Sequence, residues 1–206
     1  MNLFNPAEIK SLLLKHNFKF NKSLGQNFLI DGSVCYAISE KSIQGDNVGV
    51  LEIGAGVGSF TCVLAERAKK VVAIELDRRL IPILEETLFN FENTEVICGD
   101  ILKLDLEQIV KEKFDGMTPI VCANLPYYIT TKILKKILPM GLFENISVMM
   151  QKEVADRICA DNLEGDYGAL SIFCDYYAKA EILFDIPPEA FMPPPKVTSS
   201  VIRFTK

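Results

Sequence analysis

The sequence predicts an α/β fold: a doubly wound, mostly parallel sheet covered by helices on both faces, closed by a C-terminal antiparallel hairpin. Three observations carry this. From residue 48 onward, short apolar runs rich in valine and isoleucine alternate with segments of helical period, the pattern of strands joined by crossover helices. The first run passes into a glycine-rich turn, Gly54 to Gly58, and a helical segment follows at once. Near the end, two strand-like runs have no helix between them, which suits an antiparallel pair.

In chain order, Val48 to Ile53 reads as a strand and Phe60 to Ala68 as a helix. Val71 to Ile74 is the next strand, followed by a helix from about Arg79 to Leu88. A strand around Val96 to Cys98, a helix around Leu106 to Lys111 and a strand at Ile120 to Ala123 come next. A helix from Thr130 to Leu138 then precedes a strand at Ile146 to Met150. Gln151 to Cys159 and Ala169 to Tyr177 read as helices. Ala180 to Ile186 and Val197 to Phe204 are the two final strands, joined by a loop with prolines at 187, 188, 193, 194 and 195. Right-handed crossovers place a ligand crevice at the carboxyl ends of the strands, where the strand order reverses.

With 206 residues, 49% apolar and 24% charged, the chain has the size and composition of one main globular domain that buries its own core. No apolar run approaches the roughly 20 residues of a bilayer span. Leu12-Leu13-Leu14 is too short for a signal peptide and lies among lysines, so a cytoplasmic location is expected. The six cysteines show no paired spacing and read as reduced small hydrophobes. His16 is the one histidine, which leaves zinc sites and histidine-based catalysis almost without ligands; it reads as a surface residue. A monomer without metal or membrane is expected. The net charge of −5 argues against nucleic acid, but its distribution is uneven. Residues 1–30 carry Lys10, Lys15, Lys19 and Lys22 against Glu8 alone. Such a basic arm could touch phosphate or be a solvated terminus.

The glycine turn departs from the dinucleotide pattern G-x-G-x-x-G. Gly54 and Gly56 fit, but Ser59 stands at the third position and the extra glycine falls one residue early, at Gly58. Glycines allow a tight turn and close approach of backbone to a ligand, although a structural turn explains them equally well. Glu75, ending the second strand, is placed to accept hydrogen bonds from ribose hydroxyls. Asp100 ends the third strand, and two carboxylates on successive strand ends favour a cofactor site. The fourth strand ends in Asn124-Leu125-Pro126-Tyr127. Proline cannot continue the ladder, so the chain leaves the sheet where a crevice ligand would sit. The Asn124 side-chain oxygen and the Leu125 carbonyl could accept the two N–H bonds of an aromatic amine, while Tyr127 stacks on its ring and holds it in line.

The spacing Glu52-x-Gly-x-Gly-x-Gly58, followed by Glu75, resembles the first two motifs of class I S-adenosylmethionine-dependent methyltransferases, whose fold is Rossmann-like. That cofactor has no pyrophosphate, so nearby carboxylates are tolerable, and Asp100 would face its adenine amine. The ordered set of motifs is more specific. Lys22-Ser-Leu-Gly-Gln-Asn-Phe-Leu29, Glu52 to Gly56, Ile74-Glu-Leu-Asp77, Gly99-Asp100, Asn124 to Tyr127, Gln151 to Arg157 and Phe191-Met-Pro-Pro-Pro-Lys-Val197 together resemble the ribosomal RNA adenine dimethyltransferase family. The resemblance implies dimethylation of two adjacent adenines in small-subunit ribosomal RNA, with that RNA or the immature small subunit as partner. It implies a cofactor site of Asn27, Leu29, Gly54, Gly56, Glu75, Asp100 and Asn124, and an adenine pocket of Asn124, Leu125, Tyr127 and Phe191. Phe191, on a proline-stiffened loop, would sandwich a flipped-out base against Tyr127. Members usually continue into a small helical domain that helps bind RNA, so the chain reads as one methyltransferase domain, residues 1–206, with that helical domain absent.

Plainer readings stand beside these. Asn27 could be a turn residue capping a helix from Asp31 to Ile38. Phe191 could be core packing. Lys132, Lys135 and Lys136 could be a solvated helix face or a phosphate contact. Rival functions are methylation of a large-subunit adenine, as in macrolide-resistance enzymes, DNA adenine or protein-glutamine methylation, ribosome assembly by binding alone, and a nicotinamide-dependent oxidoreductase.

Overall fold

The computed structural model describes residues 1–21, 24–161 and 167–206. Seven strands form one sheet in the order β4-β3-β2-β5-β6-β9-β7. They are β2 (Val48–Ile53), β3 (Lys70–Glu75), β4 (Thr94–Cys98), β5 (Thr118–Asn124), β6 (Asn145–Gln151), β7 (Lys179–Ile186) and β9 (Ser199–Thr205). The first five pair in parallel, and β9 is antiparallel to both β6 and β7. The expected fold class and terminal antiparallel pair are both present. The chain runs outward through β2, β3 and β4, then restarts on the other side of β2 with β5. The strand order therefore reverses between β2 and β5, whose ends are in register at Ile53 and Ala123.

Side chains alternate between two helical layers, as the period of a strand requires. Leu51, Ile53, Val72 and Ile74 pack with Leu106, Ile133, Leu134, Ala155 and Cys174, which belong to α5 (Leu106–Lys113), α6 (Thr130–Ile137), α7 (Lys152–Cys159) and α8 (Ala169–Tyr177). Val48, Val50 and Val71 pack the other way, onto Cys35, Ile38, Phe60 and Leu64 from α2 (Gly32–Ser42) and α3 (Ser59–Ala65). Ala73 meets Leu84 and Leu88, within and just beyond α4 (Ile81–Thr87). Most boundaries agree with the sequence reading within a few residues. Gln151 is the last residue of β6 rather than the start of α7, and Val197 lies outside β9, 43% exposed. Cys98, read with the other cysteines as a reduced small hydrophobe, is free and exposed at the end of the edge strand β4.

The described residues 1–21 and 24–30 do not form a loose arm. Pro6–Lys15 form α1, with Asn5 as a side-chain cap and proline in the first turn, where its missing N–H costs nothing. Ile9, Leu12 and Leu13 fall on one face and pack with Phe18, Phe28, Val57, Leu80 and Ile83, whereas Leu14 points outward. His16 and Lys15 both pair with Glu86 on α4, at 2.8 and 2.7 Å. Phe28–Leu29 form β1, which pairs antiparallel with β8 (Phe191–Met192). The segment thus folds back to the mouth of the sheet.

Candidate functional site

A cleft with about 960 Å³ of empty space, part of it open to solvent, lies where the strand order reverses. Residues 24–29, the end of β2 with its glycine turn, the ends of β3 and β4, and residues 124–129 all line it. Every expected site residue except Phe191 lies on this lining: Asn27, Leu29, Gly54, Gly56, Glu75, Asp100, Asn124, Leu125 and Tyr127. Lys22 and Ser23 of the first motif lie outside the described residues.

The glycine turn is shaped by hydrogen bonds to β3. Gly54 N–H donates to the Ile74 carbonyl at 2.8 Å, and Gly56 N–H donates to Glu75 Oε2 at 2.9 Å. At Gly56 φ is +61°, and a Cβ would come within 3.0 Å of the Phe28 ring, so only glycine fits without strain. Gly58 accounts for the departure from the dinucleotide spacing. It turns the chain into α3 at φ +87°, and a Cβ there would meet Thr87 Oγ1 at 2.8 Å. Its smallness serves the packing of α3 against α4.

Glu75 is 7% exposed and uses its second oxygen to accept from Asp77 N–H at 2.8 Å. Burial raises its pKa, opposed by the Asp77 and Gly56 N–H groups. Asp77 in turn accepts from Gln26 Nε2 at 2.9 Å and from Arg79 Nε at 2.8 Å, and the Arg79 guanidinium holds its carboxyl below the usual range. Arg79 also lies over the Phe18 ring, 5.0 Å from its centroid. Three separate motifs are therefore tied together through Glu75, Asp77 and Gln26. Of these, sequence reasoning assigned a role only to Glu75; the other two stood in quoted motifs without one.

Asn27 combines its two readings. Its Nδ2 donates to the Gly25 carbonyl at 3.2 Å, a turn contact, and its own carbonyl accepts from Asn124 Nδ2 at 2.9 Å. It does not cap the next helix; Asp31 does, accepting from Ser33 N–H at 2.9 Å. Because a carbonyl can only accept, the Asn124 amide is oriented with its nitrogen toward Asn27, leaving the oxygen as an acceptor beside the cleft. Leu125 is 1% exposed with its side chain in the core, so its backbone is the part available to a ligand. Tyr127 is half-buried, and its hydroxyl is hydrogen-bonded to Ser199 Oγ at 2.5 Å. Asp100 Oδ1 accepts from Leu102 N–H at 2.9 Å.

Phe191 lies off this lining. It is 2% exposed, paired with Leu29 across β8 and β1, and packed among Cys35, Ile38, Met149 and Val201. The β1–β8 ladder holds it in the core beside Leu29, one layer behind the cleft lining. The lysine face on α6 is divided. Lys136 donates to the Leu104 carbonyl at 2.7 Å, while Lys132 and Lys135 are exposed. Lys152 and Arg157 pair with carboxylates of their own surroundings.

Tyr128 and Glu52 also line the cleft, neither with a role assigned from the sequence. Tyr128 is 53% exposed and lies against Gly25 across the mouth. Glu52 is 1% exposed, and among the described residues its Oε2 has no hydrogen-bond partner. Burial, then the nearby Glu75 charge, raises its pKa to about 8, with the Thr61 hydroxyl only partly offsetting this.

The described lining contains the carboxyl groups of Glu52, Glu75 and Asp100 and no lysine or arginine. Such a set disfavours a pyrophosphate and suits a ligand bearing positive charge. Sheet order and cleft together define a class I, Rossmann-like methyltransferase. Over residues 17–206 the chain matches the model described as Ribosomal RNA adenine dimethylase, and it belongs to that family. It is 48% identical to the "Ribosomal RNA small subunit methyltransferase A" of Alkaliphilus oremlandii (strain OhILAs), covering 97% of this chain and 70% of that protein. Among solved structures, it is similar to a dimethyladenosine transferase from Plasmodium falciparum, with TM-score 0.73 and 27% identity over 86% of this chain and 62% of that one. The 23S rRNA methyltransferase ErmE also has TM-score 0.73, with 29% identity over 87% of this chain and 70% of that one. Among the described residues no helix is long and apolar enough to cross a membrane.

Proposed function

We propose that this protein transfers two methyl groups from S-adenosylmethionine to the exocyclic amine of each of two adjacent adenines in small-subunit ribosomal RNA, acting as a cytoplasmic monomer on that RNA or the immature subunit. The single observation that carries the reading is the Asn124 amide, locked by the Asn27 carbonyl with its oxygen left beside the cleft. The adenine amine is a poor nucleophile because its lone pair is delocalised into the ring. Acceptors at Asn124 Oδ1 and the Leu125 carbonyl would hold its two N–H groups, favour rehybridisation and turn the lone pair outward. Tyr127, anchored through Ser199, would stack on the base and fix its plane, the kind of positioning that lowers a barrier most. Asn27, Leu29, Gly54, Gly56, Glu75 and Asp100 would hold the cofactor. When bound, S-adenosylmethionine supplies an electrophilic methyl group on a sulfonium. No strong base is needed, because the nitrogen proton becomes acidic once nitrogen is positively charged.

The match to a small-subunit enzyme over nearly the whole chain favours that RNA over the large-subunit alternative. Replacing Asn124 with alanine is expected to abolish methyl transfer to small-subunit RNA while leaving S-adenosylmethionine binding largely intact, measured by labelled methyl incorporation and by calorimetry. Full activity in that variant overturns the role of Asn124. Mass spectrometry of both ribosomal RNAs from cells lacking the protein tests the target: loss of the modification from large-subunit RNA alone refutes it.

A further inference from the structure

We propose that Glu52 is a proton-exchanging counter-charge of the cofactor cleft, a specificity-determining residue that favours the sulfonium donor over its neutral thioether product. This rests on the cofactor reading above. Glu52 occupies the middle of the sheet directly beneath the glycine turn, in register with Ala73 on one side and Cys122 on the other. It shares the face of Val48 and Val50, under α2 and α3, yet it also lines the cleft. It is 1% exposed, and among the described residues its Oε2 has no hydrogen-bond partner. Among the described residues no cation bears on a carboxylate so placed, and burying an unpaired charge is costly. The groups that bear on it are Glu75 from β3, Cys122 from β5, Cys35 from α2 and Cys62 from α3. Burial lifts all three thiols, Cys62 and Cys122 to about 12, so none supplies a charge near neutral pH. Glu75 is the other acid, and its negative charge pushes Glu52 further toward the protonated form.

A positive charge entering the cleft reverses this balance, because an opposite charge nearby favours the ionised acid. Glu52 then gives its proton to solvent, and the carboxylate neutralises part of the sulfonium charge. On methyl transfer the carbon–sulfur electron pair stays on sulfur, the new nitrogen–carbon bond uses the amine lone pair, and the nitrogen proton leaves to solvent. The cofactor is now a thioether without that positive charge, and Glu52 takes a proton back from solvent. Linkage requires the reciprocal effect: a site that loses a proton on binding the donor binds it more tightly as pH rises.

The test is titration calorimetry of the full chain with S-adenosylmethionine and with S-adenosylhomocysteine at pH 8, in phosphate and in Tris, whose ionisation heats differ. With Glu52 titrating near 8, donor binding is expected to release about half a proton per site at pH 8. S-adenosylhomocysteine is expected to release markedly less, and Glu52→Gln to abolish the difference. Infrared difference spectra of the wild-type chain give a second readout that needs no variant, since donor binding should remove a protonated carboxyl band. Equal proton release with both ligands, unchanged release in Glu52→Gln, or persistence of the carboxyl band overturns the proposal. Absence of any S-adenosylmethionine binding by the wild-type chain instead overturns the donor assignment on which it rests.

Discussion

Replacing Glu52 with glutamine should reshape the pH dependence of folding even without a ligand. The folded state holds this carboxyl at about 8, against about 4.5 for an ordinary glutamate. Between those values the folded protein binds more protons than the unfolded chain, so wild-type stability falls as pH rises through the window and levels off above it. A separation of about 3.5 units at 1.36 kcal/mol each sets the cost at no more than about 5 kcal/mol above pH 8. Glutamine has nearly the same shape and does not titrate. Near pH 4.5 the two proteins should therefore differ by only about 1–2 kcal/mol, the cost of the amide's own buried polar atoms. By pH 8 the variant should be the more stable by several kcal/mol, on the scale of the about 5 kcal/mol ceiling. Urea unfolding at pH 5, 6, 7 and 8 measures this, with equal m-values confirming that the unfolded states match. Parallel stability profiles for the two proteins would refute the reasoning, since they would mean that Glu52 is ionised in the fold and balanced by some other group.

Two further substitutions separate packing from chemistry. Phe191→Ala should cost about 3–5 kcal/mol of stability, the usual price of emptying a large core site, because its ring is 2% exposed between β1 and the sheet; a loss under about 1 kcal/mol in urea unfolding would mean that the ring is free to leave the core. Tyr127→Phe removes the hydrogen bond to Ser199 but keeps the ring. It should cost about 0.5–1.5 kcal/mol and leave methyl incorporation within a few-fold of wild type, whereas complete loss of transfer would show that the hydroxyl takes part in the chemistry.

The contrast between Asn124 and Phe191 explains how much of the site was legible in advance. Asn124 ends a central strand before a proline, so its position at the strand's carboxyl end follows from local chemistry. The same holds for Gly54, Gly56, Glu75 and Asp100, each at or just beyond the end of a parallel strand. Phe191 sits in a proline-rich loop, where local pattern does not set the direction of a ring. Its orientation comes from a two-residue ladder with β1, more than 160 positions earlier. Gln26 and Asp77 were quoted within motifs, yet their bond to one another joins residues 51 apart and has no sequence period to announce it. Glu52 carries the same lesson. Its place in the glycine motif was plain, but its missing partner is a property of α2 and α3 closing over it.

Alternating apolar runs, strand-end glycines and carboxylates and a proline after Asn124 were enough to determine the doubly wound sheet, the place of the cleft and seven of its lining residues, because periodicity and backbone restriction act over a few neighbouring positions; Asn27 and Leu29 followed only from the family resemblance. The folding of the N-terminal segment onto the sheet, the burial of Phe191 and the isolation of the Glu52 carboxyl were decided by tertiary structure alone. Each depends on which distant surface covers a side chain and removes it from water, and desolvation has no local signature in the order of residues.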